Sequence, residues 1–457
     1  MTKIGIIGNG FSGILTAIQL IRQSKVELEI FIFGKGPIGR GIAYNSYSDK
    51  HILNVSAGKM SAFPDEPEHF LDWVTNHINF KDTDRKLLSS AYLSRNLYGE
   101  YLGNLWETSK ETAIEKGIQI VEIHDFVNEI EFLDTEVKLV CETGNFCVHH
   151  CVLATGNQVP GNPKIQNQDF VHSHLYFQNP WSKNAVSELN QKLPVLIIGN
   201  GLTMIDTVIG LLENGFKGEI ISLSPNGFNI LPHRHNGLIY KELENEIKVG
   251  MSLVEIVSIV LKHIRKVRKF GVSAEPVVDA LRPFTQQLWQ HFSDEDKRLF
   301  MRRFRHLWGV ARHRIPPHIH DKIVQLRLSG KLKVLAGRIQ AISIEENVAR
   351  VQFSNKIGAI EELLVGRIIN CTGPETDIEK MSENLLKSCL EKGLIVQDSL
   401  KLGLQTDLTN FRLKDKFGRT NHPFYTLGSH LKGELWESTA VNELRQQAKD
   451  LAREILS

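Results

Sequence analysis

The run Lys3-Ile4-Gly5-Ile6-Ile7-Gly8-Asn9-Gly10-Phe11-Ser12-Gly13 decides the fold: a short β-branched stretch breaks into a G-x-G-x-x-G turn. Beyond it the apolar residues of "ILTAIQLIRQS" recur at three- and four-residue intervals, the spacing of a helix, and Leu28 to Phe33, "LEIFIF", reads as a second strand. Strand, glycine turn, helix and strand within about thirty residues make a βαβ unit that binds a dinucleotide. Gly8 supplies the tight turn, Gly10 lets a pyrophosphate approach the backbone, and Gly13 lets the helix lie close to the strand. The helix N-terminus, at Phe11 and Ser12, faces the phosphates. An acidic residue about twenty positions on usually holds the adenosine ribose. Here the second strand ends at Phe33-Gly34-Lys35, so the ribose is held from elsewhere or more weakly, or Lys35 meets a phosphate instead.

The letters IIGNG return at Ile197 to Gly201, inside "KLPVLIIGNGLTMIDTVIGLLENGFKGEIISLS", with the same framing of strand, turn, helix and strand. Gly199, Gly201 and Thr203 are candidate contacts of a second dinucleotide; the other reading is a Rossmann unit kept for packing. Met204 stands at the third glycine position, so helix and strand are expected to sit further apart than at the first turn. Asp206, in the first helical turn, is either a site residue or compensation of the helix dipole. The next strand ends in Ser224-Pro225-Asn226 without an arginine, so the clamp typical of an NADP 2′-phosphate is not visible. Two turns are most simply explained by two nucleotides, a tightly held FAD at the first and a diffusible NAD(P)H at the second.

Two apolar strands end in a Thr-Gly pair: "HHCVLATGNQVP" at Thr155-Gly156 and "GRIINCTGPETD" at Thr372-Gly373. Small residues there let the chain pass close beneath a nucleotide. The fold class expected is α/β, with two Rossmann-like, three-layer, doubly wound dinucleotide-binding domains, a β meander and a helical insertion. The partition reads as an FAD-binding domain over 1–160, an NAD(P)-binding domain over 161–345 with the insertion at about 240–320, and the FAD-binding domain again over 346–457. Residues 338–364 alternate and form the meander. In "FYTLGSHLKGELWESTAVNELRQQAKDLAREIL" a helix is expected from about Ser438. Its N-terminus, with Glu437, Ser438 and Thr439, would favour negative charge on a reduced flavin; an ordinary capped terminal helix is the alternative.

At 457 residues the chain is long enough for two or three domains and a large buried cofactor, and its net charge of only +2 excludes a generally polyanion-coating surface. No secretory h-region and no membrane-length apolar run is visible, so a soluble, cytoplasmic protein is expected. Five cysteines without a CxxC pair suggest neither a disulfide framework nor a zinc knuckle. Cys147 and Cys151, separated by three residues along one predicted strand, lie too far apart to bridge as a redox pair.

The segment from Gly36 to Val74, "GPIGRGIAYNSYSDKHILNVSAGKMSAFPDEPEHFLDWV", carries Gly39, Arg40, Gly41, Ala43, Tyr44, then His51, Leu53, Asn54, Val55, then Met60, Ser61, Ala62, Phe63. It resembles a largely uncharacterised bacterial family of FAD/NAD(P)-binding proteins; "IIGNGLTMID", "WGVARHRIPP", "NCTGPETD" and "GELWESTAVNELRQQA" look like further blocks of that family. The family is distantly similar to class B flavin monooxygenases, including amine N-hydroxylases. That resemblance implies a scheme in which NAD(P)H reduces FAD and dioxygen then supplies one oxygen atom to a nitrogen or other soft nucleophile. It also implies that Asn54, Met60 and Ser61 lie along the flavin and Arg40 near its pyrophosphate; an Ω-type loop held by its own packing is the alternative.

"LPHRHNG", with His233 and His235, and "VARHRIPPHIH", with Arg312 and Arg314, are expected to meet as a cationic lining for a carboxylate or phosphate, the alternative being solvated surface. No metal site is indicated, because the HxH pairs lack a partner at ligand spacing. The basic run Lys262 to Lys269 lacks interleaved aromatics and reads as a solvated helix face, not as a nucleic-acid or membrane surface. The expected partner is therefore a small polar or anionic substrate, with dioxygen if the protein is a monooxygenase; assembly state is not legible. The alternatives are a flavin reductase or oxidase without oxygen transfer, and a non-catalytic, redox-sensing FAD module.

Overall fold

The β-branched run before the first turn forms strand β1 (Thr2–Ile7), and the glycines release the chain into helix α1 (Phe11–Gln23) and strand β2 (Leu28–Phe33). The computed structural model describes residues 1–457 except 235–237, 383 and 421. β1 and β2 pair in parallel, Ile4 opposite Ile30, and β1 pairs on its other side with His150–Leu153. Parallel strands covered on both faces are continuously apolar, which is why Ile4, Ile6, Ile30 and Ile32 are almost wholly buried. Gln119–Ile123 and Phe424–Thr426 extend this sheet in parallel, and two short antiparallel strands finish one edge.

The second domain repeats the plan. Val195–Ile198, helix Leu202–Glu213 and Ile220–Ser224 form its βαβ unit. The sheet continues in parallel with Leu332–Glu345 on one side and with Arg367–Asn370 and Tyr176–Phe177 on the other. In both domains an excursion of helices separates the second and third strands, and antiparallel strands separate the third from the strand that ends in Thr-Gly. In the first domain those antiparallel strands are the separate sheet Val127–Phe132, Val137–Cys141 and Asn145–Val148. In the second they are Val348–Asn355 and Ile360–Val365, which pair antiparallel with the far half of the long third strand, Leu332–Glu345, and make with it the expected meander.

This symmetry moves one expected boundary. The sequence pattern places the return to the first domain at 346, yet Val348–Asn355, Ile360–Val365 and Arg367–Asn370 are all strands of the second sheet. They are held there because Arg367–Asn370 pairs with Val195–Ile198. The chain rejoins the first domain beyond Thr372, where helix Asn384–Glu391 packs on Val127–Phe132. The insertion runs from Glu242 to Arg312 as short helices around their own core of Leu243, Ile256, Val277 and Leu288. Its basic run is partly neutralised, Lys262 by Glu246 at 3.1 Å and Lys266 by Glu242. Among the described residues no helix is long and apolar enough to cross a membrane.

Candidate active site

Gly8 and Gly199 have φ of 117° and 109°, a region that side chains rarely enter. A Cβ on Gly8 would stand 2.2 Å from the Ala154 carbonyl oxygen, and one on Gly199 would stand 2.5 Å from that of Cys371. Each glycine turn is thus pressed against its own Thr-Gly strand end. A Cβ on Gly13 would meet the Gly8 carbonyl oxygen at 1.9 Å; at the second turn Met204 fills the corresponding place and is buried in the core. Both helices leave from a glycine N-cap without a side-chain cap, Gly10 and Gly201. Their first backbone N–H groups are therefore open to an anionic ligand.

The missing ribose carboxylate has a steric cause. Asn9 donates from Nδ2 to the Gly36 carbonyl oxygen at 2.6 Å, and a Cβ on Gly34 would lie 2.5 Å from Asn9 Oδ1. Lys35 stands 3.2 Å from Asp125 Oδ1, so it braces the base of the three-stranded sheet. The Gly39 N–H donates to the Asn9 carbonyl at 2.8 Å, and Gly41, at φ 50°, lies against Gly10. Arg40 sits between these two glycines, its methylenes against Gly99 of helix Arg95–Glu115. Phe11 turns inward onto Tyr44, ring centres 5.4 Å apart, and Ser12 Oγ lies beside Gly428.

A cavity of about 440 Å³ opens where both Thr-Gly strand ends, the helical insertion and the C-terminal segment meet, and Gly156, Thr372, Arg312, His430, Trp436 and Thr439 all line it. Thr155 Oγ1 is 2.9 Å from His430 Nε2, and burial pushes the His430 imidazole down to about 4. The Thr372 hydroxyl donates to Asn370 Oδ1 at 2.7 Å, and Gly373 follows at φ 90°. Arg312 Nε lies 3.1 Å from each carboxylate oxygen of Glu437, which also accepts from Trp308 Nε1 at 3.1 Å. These contacts hold the C-terminal segment against the insertion. Just before them Trp436 has φ 59° and ψ −63°, and the Glu437 N–H donates to the Leu435 carbonyl at 2.7 Å. This is a γ-turn of the rare, strained hand, of the kind that collects at working sites.

Arg305 and Lys432 also line the cavity, and burial lowers the affinity of both for their protons. The terminal helix begins at Val441, later than the expected Ser438, with Ala440 as an N-cap that has no side-chain cap. Ser429 in the cavity wall and Ser438 nearby bury hydroxyls that have no hydrogen-bond partner. Orphaned hydroxyls and an uncapped helix end are groups that a bound cofactor would satisfy.

Asp206 and His233 make contacts between the two domains. Asp206 is buried, accepts from Arg95 Nη2 at 3.0 Å, and is raised by burial while Arg95 opposes the shift. The Asp206 carbonyl accepts from His51 Nε2 at 2.9 Å. Thr203 turns its carbonyl to the Thr207 hydroxyl at 2.9 Å, within the helix. The two histidine-bearing segments do meet, through backbone pairing of Pro232 with Ile315. His233, however, donates to the Asn54 carbonyl at 2.7 Å and stacks on Tyr92, while Arg314 pairs with Asp279. Only Arg312 of that set reaches the cavity; His235 lies outside the described residues. Met60 and Ser61 are buried, and the Ser61 hydroxyl donates to the Glu66 carbonyl at 2.5 Å. Cys147 and Cys151 fall on two strands, Asn145–Val148 and His150–Leu153, not one, and form no disulfide. Sequence reasoning passed over His430, Lys432, Arg305, Trp308 and Trp436, although the two tryptophans lie in blocks already singled out by resemblance.

Two nucleotide-type βαβ units, each with an open helix end and its own Thr-Gly strand end, and one shared cavity define a protein with a paired Rossmann-type fold. Residues 5–158 match the protein family described as FAD-NAD(P)-binding, so this part of the chain is an FAD/NAD(P)-binding domain. No curated protein matches the sequence. The fold is shared with the ornithine N-hydroxylase of Kutzneria sp. 744 in its form with reduced FAD, NADP⁺ and L-ornithine, at 13% identity and a TM-score of 0.64 over 99% of this chain and 98% of that one. The ornithine hydroxylase of Pseudomonas aeruginosa shares it at 15% identity and 0.65, over 100% and 98%. The bacillithiol disulfide reductase of Staphylococcus aureus does so at 13% and 0.56, over 100% and 99%. At such identities the likeness is one of fold.

Proposed function

We propose that the protein is an FAD-dependent NAD(P)H oxidoreductase acting as a monooxygenase on a small polar or anionic substrate, with a nitrogen nucleophile as the preferred acceptor. One observation carries the reading: Gly156, from the strand end behind the first glycine turn, and Thr372, from behind the second, line the same cavity. Nucleotides on the two turns would bring their reactive ends into one space. Gly8, Gly10, Phe11, Ser12 and Gly13, with Arg40, would hold the FAD pyrophosphate. Gly199, Gly201 and Thr203 would hold NAD(P)H, and Ser438, Thr439 and the open end of the terminal helix would meet the flavin's polar edge. Bound FAD would supply hydride acceptance and reaction with dioxygen.

The chain's own groups then orient and exclude water. Trp308 and Trp436 wall the cavity, Arg305 and Lys432 attract an anionic group, and the Arg312–Glu437 pair fixes the segment before the terminal helix. His430 stays neutral above about pH 4 and adds no charge of its own. The overall reaction balances as NAD(P)H, a proton, dioxygen and substrate giving NAD(P)⁺, water and oxygenated substrate; the hydride's two electrons reduce the second oxygen atom to water. The test is an anaerobic absorbance spectrum of the flavin-loaded protein with NADH and then NADPH, followed by admission of air with candidate amines and amino acids. Bleaching, followed by oxygen uptake matched to oxygenated product, supports the reading. Peroxide alone across the whole panel demotes it to an oxidase, and no bleaching removes it.

A further inference from the structure

The helices of the insertion, with Trp436, line a second cavity, of about 370 Å³, that is open to the surface and takes no part in the proposed reaction. Its walls are aliphatic and aromatic, Val257, Val260, Ile264, Leu288, Phe292 and Phe304 among them, and Arg268 is the one charged residue lining it among those described. An open apolar hollow keeps hydrophobic surface in water, and a bound apolar group would remove that surface from water. This one falls in the size range of small-molecule sites, roughly 300–1,000 Å³. At its rim Leu261 and Leu307 are 44% and 53% exposed, so its apolar lining continues to the surface. Trp308 and Trp436 line both this cavity and the candidate active site. The partition thus includes two indoles, one of them on the strained turn at Trp436, stacked on Trp289 at 5.0 Å.

We propose that this cavity receives an apolar chain of the substrate, which is therefore amphipathic: its polar reacting end lies in the active-site cavity and its tail passes Trp436 into the insertion. The proposal rests on the reading of the active-site cavity given above. The occupant is part of the substrate because the cavity lies between helices Leu253–Arg268, Thr285–His291 and Arg305–Arg312 and adjoins the place where chemistry would occur. The cationic side chains on the active-site side, Arg305 and Lys432, suit an anionic end group, which sets the choice of probe.

The test is calorimetric titration of the FAD-loaded protein with n-alkyl carboxylates from butanoate to decanoate, with indole fluorescence as a second readout. Each added methylene is expected to tighten binding about fourfold until the cavity is filled. In Ala311→Phe and Val260→Phe, which narrow the cavity, that gain is lost while the flavin spectrum and its bleaching by NAD(P)H persist. A series flat with chain length overturns the proposal and needs no variant; so does a gain retained in both well-folded variants. A rising series in a protein whose flavin NAD(P)H fails to bleach keeps the apolar-chain site and removes the oxidoreductase reading.

Discussion

His430 shows what burial does to a single group. Its folded-state pKa, about 4, lies below the ordinary 6.5, so between those values the unfolded chain binds a proton that the folded chain does not. Stability must then fall as pH drops from about 6.5 to about 4, by a total on the order of 3 kcal/mol from this residue. His430→Gln is expected to remove that portion of the slope in urea titrations taken at pH 7, 6, 5 and 4. His51, His150 and His233, also lowered by burial, leave a residual slope, and an unchanged slope in the variant would show that His430 takes up its proton as readily in the fold as in the unfolded chain. Gly34 is a second case. Because Asn9 occupies the space of its absent side chain, Gly34→Asp alone should weaken FAD binding through the clash. Asn9→Gly with Gly34→Asp should bind FAD more tightly than the wild type, by roughly tenfold for one charge-assisted ribose contact; equilibrium dialysis of the two variants decides it.

At the scale of the element, the second glycine turn separates packing from binding. A Cβ on Gly199 would strike the Cys371 carbonyl, whereas a Cβ on Gly201 would meet nothing within 4 Å. Gly199→Ala should therefore lower the melting temperature as well as nucleotide affinity. Gly201→Ala should leave melting unchanged within a degree or two and weaken NAD(P)H at least tenfold, because only an approaching pyrophosphate fills that space. Unaltered NAD(P)H affinity in Gly201→Ala would mean that the second βαβ unit is kept for packing alone. These turns were legible in the sequence because a glycine turn and its flanking periodicities are local properties of consecutive residues. The start of the terminal helix was misplaced by three residues for the opposite reason. The Ser438 hydroxyl is buried and uncommitted, while Gln447 clamps the loop by accepting from the Gly428 N–H and donating to the Ser438 carbonyl.

At the scale of the whole molecule, the domains are joined through buried polar contacts, chiefly Arg95 with Asp206 and His51 with the Asp206 carbonyl. Removing one partner of a buried pair leaves the other charge unmatched, at about 3–5 kcal/mol. Arg95→Met should thus destabilise by about that amount, and Arg95→Met with Asp206→Leu by clearly less; a double-mutant cycle in denaturant measures the difference. From sequence Asp206 is a nucleotide contact or a dipole partner, since nothing in its helix reveals that Arg95 faces it from the other domain. The sequence by itself determined the class of fold, the two glycine turns, both Thr-Gly strand ends, the helical insertion and the meander. Each of those rests on short-range spacing, and the two turns rest also on Gly8 and Gly199, where a Cβ would strike a neighbouring carbonyl. Only the tertiary structure decided that residues 348–370 stay with the second sheet, that His233 and Asp206 join domains, and that Trp308, Trp436, His430 and Arg312 enclose one cavity. Strand pairing and domain docking bring together residues hundreds of positions apart, and the physical pressure that selects such partners, burial with every polar group matched, leaves no period along the chain.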